Sequence, residues 1–251
     1  MTLEVHQFAC LTDNYGFLVR DVSTGKVACI DTPDADAILN EARALGWGID
    51  FVFNTHWHPD HAGGNAAIKS ATGAFIVGPA EVTRVSSVDR VVGGGDSVPL
   101  GNHSFSVLDC GGHTLGHISL YEPSAGIVFV GDTLFPMGCG RLFEGTAEQM
   151  WRTLSGLAAL PTETQVFCAH EYTLANARFA LSIDSDGAVV QRVQEVERLR
   201  SAGLPTVPTT IGRERETNPF LRAPHLMPEL GGTDPAAAFA KIRQAKDEFK
   251  G

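Results

Sequence analysis

The chain has 251 residues, of which 43% are hydrophobic and 19% charged, and its formal net charge is −10 at pH 7. This length and composition are typical of an ordinary globular protein with one large domain, or with a large domain and a smaller one. The acidic balance argues against general binding of nucleic acids or anionic membranes, because both need a basic protein surface. An anionic substrate would therefore require a local cluster of lysine and arginine side chains.

The N-terminal sequence and the cysteines indicate the compartment. "MTLEVHQFACLTDN" has no basic start followed by an apolar stretch, so it gives no indication of a signal peptide. No apolar run approaches the roughly 18 residues of a membrane-spanning helix. The five cysteines are odd in number, scattered and without a C-x-x-C pair, which argues against a disulfide framework or a zinc ribbon. We therefore predict a cytoplasmic protein with reduced thiols.

The first two-thirds of the chain alternate between strand and helix patterns. "YGFLVRD" and "KVACIDT" predict a hairpin, and the next stretch predicts a helix from Pro33 to Leu45, capped by Thr32 and ended by Gly46. "IDFVFNT" predicts a buried strand that runs directly into a histidine-rich loop. Further strands are predicted at "GAFIVGP", "HSFSVLDCG", "ISLYEP", "GIVFVGDT" and "TQVFC".

The C-terminal third has helical patterns. Thr146 and Gln149 form a capping-box pattern, Asp186 can cap a second helix, and Asp234 precedes a proline at the start of a third. The stretch from Leu204 to Gly232 is rich in proline and threonine and predicts irregular structure. We therefore predict two domains, at residues 1–172 and 173–251.

The loop "THWHPDHAGG" contains four groups that can bind a metal ion, namely His56, His58, Asp60 and His61. Imidazole and carboxylate ligands suit zinc, iron or manganese, and the lack of thiolates argues against a structural zinc site. Four ligands in one loop are more than a single catalytic ion would take while keeping an open position. This spacing indicates two ions.

Three further candidates each follow an apolar strand: His113, Asp132 and His170. The ends of strands commonly carry functional loops, and Asp132 could bridge the two ions. His117 competes with His113, and we interpret it as a supporting residue. Asp31, at the end of "VACID", is interpreted as a carboxylate that hydrogen-bonds the metal loop. His6, His103 and His225 have no comparable setting.

These motifs resemble a known family. "THWHPDHAGG" resembles the T-H-x-H-x-D-H signature of the metallo-β-lactamase superfamily, which implies an α+β fold: an αββα sandwich with a metal site at the edge of its two sheets. "DNYGFLV", "GDTLFPMGCGRLFEGTAEQM", "CAHEYTLANARFAL", "NPFLR" and "KIRQAKDEFK" resemble the glyoxalase II (hydroxyacylglutathione hydrolase) branch from end to end. That branch has a small helical C-terminal domain for substrate binding.

The resemblance implies a complete set of site residues. One ion would be held by His56, His58 and His113, and the other by Asp60, His61 and His170, with Asp132 bridging them. The ions would be zinc, with iron and manganese compatible, and Asp60 and Asp132 would act in catalysis. The residues implied for substrate binding are Arg141, Phe143, Tyr172, Arg243 and Lys246.

Two departures from the family pattern stand out. Some members have lysine and tyrosine where this chain has Arg141 and Phe143, so a contact through a tyrosine hydroxyl is absent. The segment before the third histidine is usually T-P-G-H, whereas here it is "DCGGH". The second departure bears on the rigidity of the loop and leaves ligation by His113 unaffected.

The implied reaction is hydrolysis of a glutathione thioester such as S-D-lactoylglutathione to glutathione and a 2-hydroxy acid. Two metal ions can lower the pKa of a bound water toward ~7, polarise the carbonyl and receive the thiolate. Thiolate leaves readily, so no strong general acid is required. Arg243 and Lys246 are three residues apart on one predicted helix, hence on one face, and could hold a glutathione carboxylate.

We expect a monomer.

Alternatives from other classes share the metal loop. A persulfide dioxygenase would use one iron with fewer ligands, and His61, His170 and the helical C-terminal region argue against it. Many β-lactamases place a cysteine at the position of Asp132, and a ribonuclease would need a basic surface. No G-x-S-x-G motif supports a serine hydrolase, Cys139 has no evident base, and a non-catalytic binding module would not need seven metal ligands.

Overall fold

The computed structural model describes residues 2–250, and these form two compact units. Within the described part of the chain, the first unit comprises residues 2–110 and 116–131, and the second comprises residues 111–115 and 132–250. The predicted domain boundary after residue 172 is a different division of the chain from these two compact units, and it stays a prediction. No helix among residues 2–250 has the length and apolar character needed to cross a membrane.

The first unit contains a six-stranded sheet in which the strands follow chain order. The first three strands are antiparallel neighbours, and the remaining ones join in parallel. The predicted hairpin is confirmed, since Phe17 pairs with Ile30. The strands are β1 (Leu3–Cys10), β2 (Asn14–Asp21), β3 (Val27–Ile30), β4 (Phe51–Phe53), β5 (Phe75–Gly78) and β6 (Arg90–Val91).

A second ladder in the same unit is antiparallel throughout and runs through four consecutive strands. Aromatic rings from the two ladders meet between them: Phe17 lies 5.5 Å from Phe129, and Phe53 lies 6.1 Å from Phe105, between ring centroids. The unit is therefore a sandwich with its core between the ladders. The strands of this ladder are β7 (Ser97–Leu100), β8 (His103–Asp109), β9 (Ile118–Glu122) and β10 (Ile127–Gly131).

Helices α1 (Ala35–Leu45) and α3 (Asn65–Thr72) cover the outer face of the six-stranded sheet. Ile38 and Ile68 are fully buried in one cluster with Val52 of β4, and truncating such a side chain to alanine costs about 2–5 kcal/mol. A short helix, α2 (Pro59–Ala62), and a 3₁₀ turn at Ala80–Arg84 complete the unit.

The predicted start of α1 was wrong by two residues. Asp34, not Thr32, is the N-cap, because its side chain accepts a hydrogen bond from the backbone N–H of Ala37 at 3.0 Å. The hydroxyl of Thr32 instead lies 2.8 Å from the side-chain oxygen of Asn65, below the histidine loop. Gly46 ends the helix in the left-handed conformation, as predicted.

The second unit is mostly helical. It contains a small hairpin of β11 (Leu134–Phe135) and β12 (Gly138–Cys139), and an antiparallel pair of β13 (Gln165–Cys168) and β14 (Thr209–Thr210). The capping box of Thr146 and Gln149 and the predicted Asp186 cap are both present. The helices are α4 (Ala147–Ala158), α5 (Thr173–Ile183), α6 (Gly187–Ser201), α7 (Ile211–Thr217), α8 (Ala223–Leu226), α9 (Pro228–Gly231) and α10 (Pro235–Glu248).

The prediction of irregular structure from residue 204 to 232 was wrong in part, because α7, α8 and α9 lie there. Helix α7 has only seven residues and no apolar periodicity that a sequence could reveal. The fully buried carboxylate of Glu214 holds it by polar contacts, and Thr210 caps it. Tertiary contacts therefore decide this segment.

Candidate active site

The histidine loop of the first unit connects β4 to α2. Within it, His56 Nε2 lies 3.0 Å from His58 Nδ1. The side chains of Asp31, His56 and His61 each offer one ligand atom, and these atoms lie within 4.8 Å of one another. Burial of His56 and His61 keeps both imidazoles away from bulk water. The loop thus gathers imidazole nitrogens and carboxylate oxygens in the arrangement that a divalent ion uses.

Asp31 supports this loop from the end of β3, as the sequence interpretation proposed. One carboxylate oxygen accepts the backbone N–H of Thr55 at 2.8 Å, and the other contacts the Thr55 hydroxyl at 2.7 Å and His61 Nδ1 at 2.9 Å. Asp31 takes a φ of 55°, a left-handed conformation that aims the carboxylate at the loop. The contact makes His61 Nδ1 the donor and leaves Nε2 available to a metal.

Asp60 lies beside His61, with its Oδ2 3.5 Å from His61 Nε2. The side-chain amide of Asn14, at the start of β2, donates to the same Asp60 oxygen at 3.2 Å. Sequence reasoning did not single out Asn14 as a functional residue, although it lies in the "DNYGFLV" motif. The amide orients the carboxylate and lowers the cost of holding its charge.

In the second unit, the carboxylate of Asp132 lies between two imidazoles. His113 Nε2 is 3.4 Å from one Asp132 oxygen, and His170 Nε2 is 3.3 Å from the other. All three side chains are buried. A carboxylate with a separate imidazole on each oxygen has the geometry expected of a ligand shared by two metal ions.

Backbone and aromatic contacts orient these two imidazoles. His113 Nδ1 lies 2.9 Å from the carbonyl oxygen of Arg141, so Nδ1–H donates and Nε2 is left for a metal. The ring of His170 stacks on Tyr172, with 4.7 Å between centroids and 4° between planes. These side chains fit divalent metal ions chemically, because every candidate donor is an imidazole nitrogen or a carboxylate oxygen.

A cavity of about 530 Å³ in the second unit begins at His113 and Asp132. All five residues predicted to bind substrate line this cavity. Every residue that lines it belongs to the second unit. The cavity is therefore open to a ligand that reaches from the Asp132 carboxylate to a group of cations. Those five residues are Arg141, Phe143, Tyr172, Arg243 and Lys246.

Arg243 is only 6% exposed. It donates from Nη1 to the carbonyl of Cys139 at 3.1 Å and from Nη2 to Asp247 at 2.7 Å, and it lies over the ring of Phe220. Its two terminal nitrogens are thus engaged within the protein, whereas its Nε is buried without a hydrogen-bond partner among the described residues. A direct contact with substrate would require the guanidinium to exchange the Asp247 carboxylate for one on the ligand.

Lys246 lies one turn further along α10 and is more accessible than Arg243. Its ammonium donates to the carbonyl of Ala175 at 2.9 Å and lies near the rings of Phe179 and Phe249. Burial, reinforced by the positive charge of Arg243, lowers the pKa of Lys246 to about 8. Lys246 therefore carries its charge at neutral pH and begins to lose it in mildly alkaline solution.

Two further lining residues of the cavity, Arg141 and Phe143, are exposed. The side chain of Arg141 is 70% exposed and lies 4.0 Å from Asp247, and Phe143 is 62% exposed while contacting the ring of His113 edge-on. Arg141 is therefore free to move toward an anionic ligand. Phe143 offers an apolar surface directly beside a candidate metal ligand.

The structure adds residues that sequence reasoning missed and removes one alternative. Asn176 and Asp247 also line the cavity, and the four-residue spacing from Arg243 to Asp247 was a signal for an ion pair on α10. Cys139 lines the cavity too, but burial raises the pKa of its thiol to about 11. At neutral pH this thiol stays protonated, which argues against a catalytic cysteine.

Comparison with protein families first gives the general class. Residues 16–170 match the metallo-β-lactamase superfamily, and residues 171–249 match the hydroxyacylglutathione hydrolase C-terminus. The chain is similar to the crystal structure of ETHE1 from Myxococcus xanthus, with a TM-score of 0.70 and 27% identity over 97% of this chain and 90% of that one. These matches confirm the predicted α+β class, a metallo-β-lactamase fold followed by a helical C-terminal domain.

Full-length relatives then give the particular family. The hydroxyacylglutathione hydrolase of Erythrobacter litoralis is 53% identical over 98% of this chain and 100% of its own length. That of Maricaulis maris is also 53% identical, over 98% of this chain and 99% of its own length. This chain belongs to the hydroxyacylglutathione hydrolase family of the metallo-β-lactamase superfamily, as the sequence motifs predicted.

Proposed function

We propose that this protein hydrolyses glutathione thioesters of 2-hydroxy acids, with S-D-lactoylglutathione as substrate and with two divalent metal ions bound. The observation that carries the proposal is the cavity of the second unit. It is lined both by the Asp132 carboxylate and His113 and by the cations Arg141 and Lys246. A reactive centre joined to an anion-binding region suits a thioester whose leaving group is an anionic peptide.

The metal ligands form part of the proposal. His56, His58 and His113 would hold one ion, Asp60, His61 and His170 would hold the other, and Asp132 would be available to both. Zinc is the expected metal, because imidazole and carboxylate ligands without thiolate suit a catalytic zinc site, and iron and manganese share this ligand chemistry. When bound, such a pair of ions supplies Lewis-acid stabilisation of negative charge and a water molecule of lowered pKa.

The residues of this chain contribute orientation and charge. Asp31 and the carbonyl of Arg141 each hold a histidine by its Nδ1, so that the other ring nitrogen faces the proposed metal. Asp60 and Asp132 contribute the negative charge that retains two cations. Tyr172 stacks on the ring of His170 and so fixes the orientation of that imidazole. The thiolate of glutathione leaves readily, so no residue is assigned as a strong general acid.

The cations of the cavity account for specificity. Lys246 and Arg141 hold the glutathione carboxylates by charge-assisted hydrogen bonds, and Arg243 joins them when Asp247 is displaced. Phe143 packs against the acyl group or the adjacent methylene. This local cluster attracts an anion even though the whole protein has a net charge of −10.

The decisive experiment is steady-state hydrolysis of S-D-lactoylglutathione by the purified protein, with metal content measured on the same sample. Rapid turnover with close to two ions per chain would support both the function and the metal ligands. Two bound ions without turnover would reject this substrate and direct the search to other thioesters. A single iron without hydrolysis would favour oxidation of a glutathione persulfide instead.

We also propose that the protein acts as a monomer in the cytoplasm, without binding nucleic acid or membranes. The acidic net charge and the scattered cysteines support this setting. Size-exclusion chromatography with light scattering tests the monomer directly, and a mass of twice the chain would reject it.

A further inference from the structure

The hairpin of β11 and β12 makes an unusual turn at Pro136 and Met137. Proline at the first central position and a positive φ at the second are features of a type II turn, and the second position ordinarily takes glycine. Met137 has a φ of 57°, and its side chain is fully buried. A non-glycine residue persists in this conformation only where its surroundings hold it there.

Buried peptide groups need hydrogen-bond partners, and every residue from Leu134 to Cys139 is buried. Asn218 and Glu214 supply most of these partners. The side-chain amide of Asn218 donates to the carbonyls of Phe135 at 3.1 Å and Gly138 at 2.9 Å. The carboxylate of Glu214 accepts the backbone N–H of Met137 at 2.7 Å.

Two further side chains hold the carbonyls of Pro136 and Cys139. Asn176 on α5 donates to Pro136 at 3.3 Å, and Arg243 on α10 donates to Cys139 at 3.1 Å. Every residue from 135 to 139 is therefore held by a side chain from elsewhere in the same unit. We call the four side chains Asn176, Glu214, Asn218 and Arg243 the turn clamp.

The clamp itself is held rigidly. Asn218 also donates to Glu214 at 2.9 Å, and its side-chain oxygen accepts the backbone N–H of Phe220 at 3.0 Å. The partners on both sides fix the orientation of the amide. The other oxygen of Glu214 accepts from the Thr209 hydroxyl at 2.6 Å and lies 3.4 Å from Arg192. These contacts satisfy both oxygens of Glu214 and the side-chain amide of Asn218, so these two side chains have few alternative arrangements.

The turn is directly connected to the candidate active site at both ends. Asp132 precedes β11, and β12 continues through Gly140 into Arg141, whose carbonyl orients His113. Gly140 crosses the carbonyl of Asp132 so closely that any side chain there would collide with it. The position of the turn therefore sets the cavity wall that carries Arg141 and Phe143.

We infer that Asn218 and Glu214 are positioning residues, which hold the turn at Phe135–Cys139 so that the cavity wall presents Arg141 and Phe143 to the substrate. This inference rests on the proposed function for its kinetic consequences. Neither Asn218 nor Glu214 lines the cavity, so both act through the turn and not by contact with the ligand.

The test uses Asn218→Ala and the milder Asn218→Ser in the full-length protein, with kinetics measured well below the unfolding midpoint of each variant. KM for S-D-lactoylglutathione should rise about tenfold in Asn218→Ala, equivalent to about 1.4 kcal/mol, with a smaller fall in kcat because the Arg141 carbonyl also orients His113. Asn218→Ser retains one donor and should give an intermediate KM. If Asn218→Ala fails to fold, the KM of Asn218→Ser decides the question.

Thr217→Val is the matched control for loss of stability. Thr217 is buried at the end of α7, and its hydroxyl donates to the carbonyl of Arg213 in the same helix at 2.7 Å. This variant should unfold at a lower temperature and keep the wild-type KM. If the Asn218 variants also keep the wild-type KM, or if Thr217→Val raises KM equally, the inference is overturned.

A second readout needs no substrate. Hydrogen exchange at the Met137 amide and alkylation of Cys139 by iodoacetamide, followed by mass spectrometry, report directly on the turn and the wall. Both should accelerate in Asn218→Ala and stay slow in Thr217→Val. If the wild-type protein does not hydrolyse the thioester, the proposed function fails, and these measurements still decide the inference: equal rates in both variants would overturn it.

Discussion

The histidine loop of the first unit and the cavity wall of the second unit differ in how far apart in the sequence their supporting residues lie. The loop draws its candidate ligands from a few consecutive residues, and a single carboxylate, Asp31, supports it through Thr55 and His61. The wall draws on segments that lie far apart in the chain, since Asn218 bonds to Phe135 across 83 positions. Local spacing therefore reveals the loop, whereas only the folded chain reveals what holds the wall.

The same contrast predicts different responses to mutation. A change within the loop removes a proposed metal ligand outright, because each proposed ligand is a single side chain. A change within the wall redistributes contacts among several partners, so it alters affinity for the substrate more than the chemical step.

The largest effect is expected for His61→Ala. Loss of this buried ligand should reduce bound metal to about one ion per chain and lower kcat by about three orders of magnitude, since the second ion supplies several kcal/mol of charge stabilisation. Metal analysis and steady-state rates on the same sample measure both. His225→Ala, a histidine outside the site, is the control and should match the wild type. Full activity in His61→Ala would contradict the proposal that a second metal ion contributes to catalysis.

Asp31→Asn should have the next largest effect. Weakening the hold on His61 Nδ1 should lower metal affinity by about 10–100-fold, the usual effect of losing a residue that orients a metal ligand. Competition with a chromophoric chelator measures this without reference to activity. Asp50→Asn is the matched control, since Asp50 accepts the backbone N–H of Val27 in the same unit. Equal metal affinities in the two variants would show that Asp31 does not support metal binding.

A pH effect is expected from Lys246. Its pKa of about 8 lies below the ordinary value of 10.5. The cation is therefore present below pH 8 and is lost as the pH rises through 8, so KM for an anionic substrate should rise in that direction. Lys246→Met should raise KM at pH 7 by about 10–100-fold, as expected for a hydrogen bond to a charged group, and should abolish the rise.

Lys241→Met is the control for this measurement, because Lys241 is exposed on the same helix and does not line the cavity. It should keep both the KM and the pH profile of the wild type. A wild-type KM that stays constant from pH 7 to pH 9 would contradict the assignment of Lys246 to substrate binding.

The smallest effect is expected for Asp247→Asn. Asp247 is 2.7 Å from Arg243 and 4.0 Å from Arg141, and because its carboxylate is half exposed, each pair should contribute at most about 1 kcal/mol. Asp247 competes with the substrate carboxylate for Arg243, so its neutralisation should lower KM, by less than about fivefold. Glu248→Gln on the same helix is the control. A large increase in KM would mean instead that Asp247 holds Arg243 in its binding position.

Much of the fold was predictable because short-range signals determine it. The capping box at Thr146, the Asp186 cap and the left-handed Gly46 all act within one or two turns of helix, and the structure contains each of them. The N-cap of α1 was wrong because Thr32 forms a long-range hydrogen bond with Asn65. Helix α7 was missed because a buried polar network, and not apolar periodicity, stabilises it.

The sequence by itself determined the family and the kinds of side chain that could bind metal and substrate, since closely spaced ligands and unbroken motifs can be read directly. Only the tertiary structure decided how those side chains are oriented. It paired His61 with Asp31, directed the guanidinium of Arg243 to Cys139 and Asp247, and surrounded a strained turn with the clamp. The physical reason is that buried polar groups must find partners wherever the folded chain brings them, at separations that no local pattern records.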